Sequence, residues 1–493
     1  MLSLGFNPTG VILPEGHFID GRAQWLEGRR IDVLRPSDGV PFGQVPAGGE
    51  EAVDLAVASA IQALATSGWA MRPPRERGRV LRRWADLMEV HAVELAQLEA
   101  VSSTRPVTGA FNSDIPATIE AIRFFGELAD KLGGDVAATR RDSLGFVASE
   151  PYGVIGAIAP WNFPLSMMSW KVGPALAAGN AVVLKPSELT PFSTVRAAQL
   201  AIEAGLPAGI LNIVHGFGHE AGAAIVRHPK IAKVSFTGST RTGAAIMADI
   251  AATGIKPLTL ELGGKSPQLV FEHVDDLRHT ADCIVRGFTS NAGQACVAGT
   301  RLVVHEKLLE PLVETIIEMI TPMSPSVTWD AEGTYSPIIS KKQAYRIDSL
   351  VTQSVERGAE ILLGGGMFDG PHEGAFYRPT LLHRVDSDTP AVREELFGPV
   401  LTVQTFRDEH EGIALAAHPT YGLAAGVHTS NLSQAMRAMR GIAAGTVWIN
   451  RYNRSGDMVI PTGGFGQSGI GQDLGRQAVE ANLRHKSVLI DFA

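Results

Sequence analysis

The sequence has very little cysteine, only Cys283 and Cys296 among 493 residues. Two cysteines cannot form a framework of disulfides, and they cannot supply a cysteine-rich zinc site. Such scarcity is typical of proteins in a reducing compartment, where a thiol stays free. We therefore expect no metal centre and a free thiol at Cys296.

Long apolar runs and an excess of basic charge are also missing. The most apolar stretches, 154–159 and 172–184, are too short to cross a bilayer and are broken by Gly, Pro or Asn. The first ten residues lack the features of a secretory signal. A net charge of −8 argues against a broad surface for nucleic acid. We predict a cytoplasmic protein with neither a membrane nor a nucleic acid as partner.

What the sequence does contain is a repeated alternation of apolar strands and helices. After short strands over 18–48 and helices over 50–130, strands and helices alternate from 151 to 262 and again from 263 to 450. This pattern predicts an α/β fold, with parallel sheets covered by helices on both faces. We place one domain at 1–132 and 152–262 and a second at 263–475, with a hinge at Gly263-Gly264.

Two segments fall outside those domains. Residues 134–150 have the pattern of a hairpin with a polar turn at Arg141-Asp142, and 486–492 are β-rich and need an edge to pair with. The two segments could pair with each other across subunits. We therefore predict that 133–151 and 476–493 form an oligomerisation element.

The stretch Asn291-Ala-Gly-Gln-Ala-Cys296-Val-Ala-Gly299 surrounds one thiol with small residues. A free cysteine is more often a small buried hydrophobe than a nucleophile. Glycine and alanine neighbours, however, let backbone and substrate approach the sulfur, where a core position would favour bulk. We interpret Cys296 as a nucleophile.

Two glycine-containing segments are candidates for phosphate binding. Phe236-Thr237-Gly238-Ser239 follows a predicted strand and opens a helix, so its N–H groups and the helix dipole favour a pyrophosphate. It lacks the ending of an ATP-type P-loop. The segment from Gly216 through Gly218 to Gly222 has one residue too many for the dinucleotide fingerprint, and alone indicates no more than a turn.

Polar residues also follow three other predicted strands. Lys185-Pro-Ser-Glu188 could bind ribose hydroxyls, and its carboxylate would repel a 2′-phosphate, which favours NAD over NADP. Asn162, in Pro160-Trp-Asn-Phe-Pro164, could donate to an oxyanion, and Glu261 could be a general base. The alternatives are an exposed charged loop, a proline-bounded turn and a solvated charge.

Together these motifs resemble those of the NAD(P)-dependent aldehyde dehydrogenase superfamily over essentially the whole chain. The similarity lies in their order: Pro160-Trp-Asn-Phe-Pro164, Lys185-Pro-Ser-Glu188, Phe236-Thr-Gly-Ser-Thr240, Glu261-Leu-Gly-Gly-Lys-Ser-Pro267, Gly293-Gln-Ala-Cys296 and Glu395-Leu-Phe-Gly-Pro399. The resemblance implies two Rossmann-like parallel-sheet domains, the first binding NAD and the second catalytic. It also implies a small β element that assembles a homodimer or homotetramer.

The resemblance further implies roles for individual residues. Cys296 would form a thiohemiacetal and then a thioester, with Asn162 holding the oxyanion, Glu261 activating water and Lys171 relaying protons. Cofactor contacts would come from the positions that match the family's cofactor motifs, namely Ile158, Pro160, Trp161, Lys185, Ser187, Glu188, Gly218, Gly222, Phe236, Thr237, Gly238, Ser239, Leu262, Gly263, Glu395 and Phe397. Because Glu261 is present, we disfavour transfer of the thioester to CoA, and the retained motifs disfavour a non-catalytic binding protein.

The chain departs from the family around its substrate pocket. Thr462 stands where a phenylalanine usually walls the pocket, and Gly466 stands where a lysine is usual. Asp457 could pair with a substrate ammonium, whereas Arg451 and Arg454 could instead select a carboxylate. All three could also simply face solvent. The predicted pocket residues are Met167, Trp170, Ala295, Val297, Asp457 and Thr462.

We therefore predict a small aldehyde as the substrate, and we favour an amino- or guanidino-aldehyde of polyamine catabolism. A carboxylate-bearing semialdehyde, or a broad range of aldehydes, is the alternative.

Overall fold

The computed structural model describes residues 4–368, 373–454 and 456–492. The N-terminal region consists of short strands followed by a helical layer, as the sequence predicts. These elements are β1 (His17–Ile19), β2 (Arg22–Gln24), β3 (Arg30–Leu34), β4 (Pro41–Pro46), α1 (Glu50–Ser67), α2 (Pro74–Val90), α3 (Ala92–Ser102), α4 (Val107–Gly109) and α5 (Ile115–Leu128).

Local sequence explains where these helices start and stop. Helix α1 has two glutamates in its first turn, where their charges interact favourably with the helix dipole. Gly68 ends the helix in a left-handed conformation (φ 65°). The apolar spacing over 75–98 suggested one continuous helix, but the chain breaks between α2 and α3 at His91, whose ψ is 19°. Trp69 and Trp84 are fully buried, as expected of core residues.

A hairpin then leaves the helical layer, formed by β5 (Val136–Ala137) and β6 (Ser143–Pro151). The next elements alternate, with nearly every strand residue buried. They are β7 (Val154–Ile158), α6 (Pro164–Ala177), β8 (Ala181–Lys185), α7 (Phe192–Glu203), β9 (Leu211–Ile213), α8 (Ala223–Arg227), β10 (Lys233–Thr237), α9 (Thr240–Thr253) and β11 (Leu258–Glu261). Strands β9, β8, β7, β10 and β11 lie parallel in that order. The predicted parallel sheet is confirmed.

A second sheet follows, also as predicted. Its region contains β12 (Pro267–Val270), α10 (Leu277–Thr289), β13 (Arg301–His305), α11 (Leu309–Ile320), α12 (Lys341–Glu356), β14 (Glu360–Leu363), β15 (Thr380–His383), α13 (Pro390–Arg393), β16 (Val400–Phe406), α14 (Glu409–Ala416), β17 (Tyr421–Gly422), β18 (Ala424–His428), α15 (Leu432–Gly441) and β19 (Thr446–Ile449). The strand order is β14-β15-β16-β13-β12-β18-β19, and only the edge strand β14 is antiparallel to its neighbour.

The chain then returns to elements formed much earlier. The last elements are β20 (Phe465–Gly466), β21 (Gly469–Ile470), α16 (Gly475–Glu480) and β22 (Leu483–Asp491). Strand β21 joins the first sheet beside β11, so that sheet includes residues from both predicted domains. Strand β22 pairs with β6 along its whole length, within one chain and not across subunits. The domain boundaries, the hinge and the oligomerisation role stay predictions.

In the part of the chain that the structure describes, no helix is both long enough and apolar enough to cross a membrane. Over the same residues, no group of three or more His, Cys, Asp or Glu side chains is placed to hold a metal ion.

Candidate active site

The loop that carries Cys296 begins with an unusual backbone. Directly after α10, Asn291, Ala292 and Gly293 all adopt positive φ angles of 51°, 49° and 72°. For non-glycine residues such angles cost about 1–3 kcal/mol each, so surrounding contacts must hold them. At Gly293 a side chain is excluded, because a Cβ would lie 2.3 Å from the Gly398 carbonyl oxygen.

Buried amides supply those contacts. The Thr104 hydroxyl donates to Asn291 Oδ1 at 2.6 Å, and Asn291 Nδ2 donates to the Asn162 carbonyl at 3.1 Å. Further along the loop, the Gln294 side chain donates to the Pro337 carbonyl at 2.9 Å and accepts from the Ile339 N–H at 2.9 Å. Hydrogen bonds to Thr104, Asn162, Pro337 and Ile339 therefore hold the loop that carries Cys296.

Cys296 is half-buried and opens into a cavity of about 2060 Å³. Most of the predicted site residues line this one cavity. They are Pro160, Trp161, Asn162, Met167, Trp170, Thr237, Gly238, Ser239, Glu261, Leu262, Gly263, Ala295, Val297, Glu395, Phe397, Asp457 and Thr462. Residues from both sheets thus converge on the thiol.

The environment of the thiol disfavours its charged form. Burial, and then the carboxyl groups of Glu261 and Glu395, raise the pKa of Cys296 to about 12. The thiol is therefore protonated at neutral pH in the absence of substrate. A nearby group must accept its proton before the sulfur can act as a nucleophile.

Glu261 is the strongest candidate for that group. It is the last residue of β11, it is 6% exposed, and its Oε1 is buried without a hydrogen-bond partner among the described residues. Burial and the neighbouring Asp473 raise the pKa of Glu261 well above its usual value. A buried carboxylate of raised pKa is a competent proton acceptor near neutral pH.

Asn162 and Lys171 are the other two predicted catalytic residues. The Asn162 side chain lines the cavity and donates one amide hydrogen to the Gln294 carbonyl at 3.0 Å, which leaves a second amide hydrogen. Lys171 does not line the cavity. Its ammonium is fully buried 3.3 Å from both Asp473 Oδ2 and Ser235 Oγ.

The N-terminus of α9 lies at the cavity, and the sequence predicts that this helix start binds the cofactor. Ser239 caps the helix by accepting from the Thr242 N–H at 3.2 Å, and Gly238, Thr240 and Arg241 line the cavity beside it. The free N–H groups of a first helical turn and the helix dipole form a binding place for a phosphate. These features fit a dinucleotide's pyrophosphate.

Glu395 and Phe397 form the neighbouring wall. The Gly264 N–H donates to Glu395 Oε1 at 3.1 Å, and burial raises the pKa of Glu395 to about 7. Phe397 has a positive φ of 55° and packs its ring edge-on against Trp161, with centroids 5.3 Å apart. A positive φ is rare for a bulky residue, so the contacts of Phe397 with its surroundings must hold this conformation.

Comparisons with known proteins show the family to which the chain belongs. The model of the aldehyde dehydrogenase family matches residues 25–488. The chain belongs to the aldehyde dehydrogenase family. It is 40% identical to the NADP/NAD-dependent aldehyde dehydrogenase PuuC of Escherichia coli K12 over 96% of this chain and 95% of that one. It is 38% identical to the aminoacetaldehyde dehydrogenase of Pseudomonas aeruginosa PAO1, over 97% and 96%. Its fold matches an indole-3-acetaldehyde dehydrogenase solved with NAD⁺, with a TM-score of 0.96, 38% identity and 98% of each chain covered.

Within this aldehyde dehydrogenase, some predicted cofactor residues lie outside the cavity. They are Ile158, Lys185, Ser187, Glu188, Gly218, Gly222 and Phe236. The Lys185 ammonium is buried 3.2 Å from Glu188 Oε2, and a Cβ on Gly222 would lie within 4 Å of both Lys185 and Ile158. Four of them, Ile158, Lys185, Glu188 and Gly222, thus lie close together near the ends of β7 and β8. A lysine donor beside a carboxylate acceptor fits a pair of ribose hydroxyls.

Sequence reasoning did not find several residues of the enzyme's site. Asp473, which pairs with Lys171, lies 302 positions from it, and no local pattern links the two. Asn291 and Gln294 were part of the cysteine motif, but their positioning hydrogen bonds were not anticipated. Tyr452 donates its hydroxyl to the Val297 carbonyl at 2.7 Å, which ties the cysteine loop to the opposite side of the cavity.

Proposed function

We propose that the enzyme oxidises an aldehyde to a carboxylic acid through a thioester on Cys296, with NAD as its cofactor. The observation that carries this proposal is the convergence in one cavity of a thiol, a buried carboxyl and an amide. One carboxyl oxygen and one amide hydrogen have no hydrogen-bond partner among the described residues. The thiol is Cys296, the carboxyl Glu261 and the amide Asn162. The N-terminus of α9 opens into the same cavity.

In the first step, the Cys296 sulfur forms a bond to the aldehyde carbon while its proton passes to the Glu261 carboxylate. The carbonyl π electrons move to oxygen and give a thiohemiacetal. Asn162 Nδ2 stabilises the developing oxyanion by donating its free hydrogen. Bound NAD supplies the acceptor for the hydride that the oxidation to a thioester releases.

Before the second step, Glu261 releases the thiol proton to solvent. It then accepts a proton from a water molecule, and the water oxygen bonds to the thioester carbon. The carbon–sulfur bond breaks with its electron pair on sulfur, Glu261 returns its proton to the sulfur, and the carboxylic acid leaves. Splitting the reaction in this way replaces one difficult oxidation by two easier steps. The raised pKa of Glu261 suits it to accept and return protons in both steps.

The cofactor assignment depends on the Lys185–Glu188 pair and on α9. Glu188 can accept a hydrogen bond from a ribose hydroxyl, and its charge disfavours a 2′-phosphate. We therefore propose NAD as the preferred cofactor, with NADP used less well. The NAD⁺-bound relative supports this assignment, whereas PuuC is described as NADP/NAD-dependent.

For the substrate, we propose an aldehyde that carries an amino group. The similarity to aminoacetaldehyde dehydrogenase supports this class, and Asp457 lies in the cavity wall as a partner for an ammonium. The expected cytoplasmic location and homo-oligomeric assembly stay predictions.

The test is to mix the enzyme with an aldehyde panel and either NAD or NADP, and to follow absorbance at the NADH band. We expect turnover with the wild type, a higher kcat/KM with NAD than with NADP, and none above background in Cys296→Ala. The matched control is Cys283→Ala, which removes the other, buried thiol and should retain turnover. Equal turnover in Cys296→Ala would contradict the mechanism.

A further inference from the structure

Arg454 is a charged side chain in the cavity that the proposed mechanism does not use. It lies beyond β19 in the segment 450–458, and it lines the cavity together with Cys296 and Trp170. Its guanidinium carbon lies 5.5 Å from the centre of the Trp170 ring, a distance at which a cation and an aromatic face attract each other. The aromatic ring therefore fixes the direction of the guanidinium.

One end of this guanidinium has no hydrogen-bond partner in the part of the chain that the structure describes. Its Nη2 is buried and makes no hydrogen bond to any described residue. A guanidinium cannot escape this situation by losing its proton, and a buried unpaired donor is destabilising. The Nη2 donor of Arg454 is therefore available to an acceptor on a bound substrate.

Among the described residues, none of the acidic groups near Arg454 accepts a hydrogen bond from its Nη2. The charges that act on it come from Cys296, Glu261, Asp473 and Asp457. Asp473 is paired with Lys171, and Asp457 lies 3.9 Å from Arg451. Glu261 and Cys296 sit where burial disfavours their charged forms.

We infer that Arg454 binds a carboxylate on the aldehyde substrate, so that acid-bearing members are preferred among the amino-aldehydes proposed above. This inference rests on the proposed oxidation and names a second charged group on its substrate. An arginine fork matches a carboxylate with two parallel hydrogen bonds, and Nη2 supplies one of them. Asp457, on the same segment, remains the partner for an amino group, so an aldehyde carrying both groups uses both residues.

The inference is tested with three aldehydes of equal chain length: succinic semialdehyde, butyraldehyde and 4-aminobutyraldehyde. We expect the wild type to show a kcat/KM for succinic semialdehyde at least about tenfold above that for butyraldehyde, the size of a charge-assisted hydrogen bond. In Arg454→Gln this advantage should disappear, mainly through a higher KM. Butyraldehyde turnover should change by less than about threefold, and Arg454→Lys should restore part of the advantage.

The matched control is Arg451→Gln, which removes the same charge from the same segment at a residue outside the cavity lining. It should leave the preference for succinic semialdehyde in place. An equal loss for all three aldehydes in Arg454→Gln would overturn the inference, because Arg454 would then act on Cys296 or Glu261. A wild type without preference for the semialdehyde would also overturn it.

These outcomes are separable from a failure of the proposed function itself. If the wild type oxidised none of the three aldehydes with NAD or NADP, the oxidation mechanism would be wrong whatever Arg454 does. Alkylation of Cys296 by iodoacetamide gives a readout that is independent of turnover. We expect Cys296 of Arg454→Gln to be alkylated still, but more slowly, because the guanidinium lowers the pKa of this thiol.

Discussion

On one side of the cavity, the Cys296 loop is held by buried amides. On the other side, most of residues 450–454 and 456–462 are exposed, and this segment carries the charges of Arg451, Arg454 and Asp457. Asn291 and Gln294 are 3% and 0% exposed and make hydrogen bonds in several directions. On the opposite side, Val459 and Ile460 are 67% and 52% exposed. The two sides are joined where Tyr452 donates to the Val297 carbonyl.

We infer from this difference that one side positions the reacting sulfur and the other side determines which aldehyde is preferred. A reacting sulfur must be held near one geometry, because small misplacements cost rate, and a network of buried amides provides that. A segment that makes fewer buried contacts tolerates changes of sequence, so charges such as Arg454 and Asp457 can vary there without loss of the fold. Variants on the first side should therefore affect all aldehydes alike, and variants on the second should change the preference among them.

The largest expected effect comes from removing the proton acceptor beside the thiol. Glu261→Gln keeps the shape of the side chain but cannot accept a proton, and we expect kcat to fall by about 10²- to 10⁴-fold. Steady-state kinetics with butyraldehyde and succinic semialdehyde measure this, and both should fall alike. Glu272→Gln, at a half-buried glutamate paired with Lys307, is the matched control. A decrease of less than threefold would argue that another group is the base.

The next effect concerns the charge state of the thiol. Because its pKa is raised to about 12, the thiolate fraction should rise about tenfold per pH unit well below that value. Alkylation of the substrate-free enzyme by iodoacetamide should then be about a hundredfold faster at pH 9 than at pH 7. Cys296→Ala corrects for reaction at Cys283. A rate that levels off below pH 9 would show that the thiol is not perturbed in this direction.

A smaller, uniform effect should follow from loosening the cysteine loop. Asn291→Ala removes side-chain hydrogen bonds to Thr104 and to the Asn162 carbonyl and leaves those partners unpaired, so we expect a loss of about 1–3 kcal/mol of stability. We expect kcat to fall roughly tenfold for every aldehyde, with unchanged ratios between them. Thermal denaturation and the three-aldehyde panel measure the two effects.

Asn453→Ala is the matched control for that variant, since Asn453 is an exposed asparagine with a positive φ of 70° on the opposite side. It should destabilise the fold less. A change of substrate ratios in Asn291→Ala would break the separation between the two sides.

The smallest effect should come from the pocket wall. Thr462 is 4% exposed and lines the cavity, so Thr462→Phe should narrow it and raise the ratio of kcat/KM for benzaldehyde to that for butyraldehyde by roughly threefold. Val459→Phe adds the same ring at an exposed position outside the cavity lining, and should leave the ratio unchanged. A fall in the ratio for Thr462→Phe would mean that the pocket shape is set elsewhere.

Local sequence patterns predicted most of the fold. The apolar strands from 154 to 261 are buried on both faces. Such strands can be recognised in a sequence because they are nearly continuous runs of apolar residues. Ser239 was expected at the start of a helix and caps α9. The break at His91 was not predicted, because the apolar spacing continues through it and helical periodicity alone carries no signal for a change of direction.

The candidate site was predicted in part. Cys296, Glu261 and Asn162 stand in recognisable motifs, and the structure brings them to one cavity. The Lys171–Asp473 pair and the direction of Arg454 were not predictable, since each depends on tertiary packing between segments far apart in the chain. Whether a charged residue in a loop points to solvent or into a cavity is decided by its neighbours and not by its own identity.

The pairing of β22 with β6 has a consequence for how the polypeptide matures. The partner positions are more than three hundred residues apart, from Leu483 beside Pro151 to Asp491 beside Ser143. During synthesis the hairpin emerges early, and one edge of it stays open until residue 491 has been added. An unpaired strand edge invites association with other chains. This edge of the hairpin therefore stays unpaired during much of synthesis and needs protection from other chains. A variant whose hairpin carries its own closing strand should depend less on chaperones for folding.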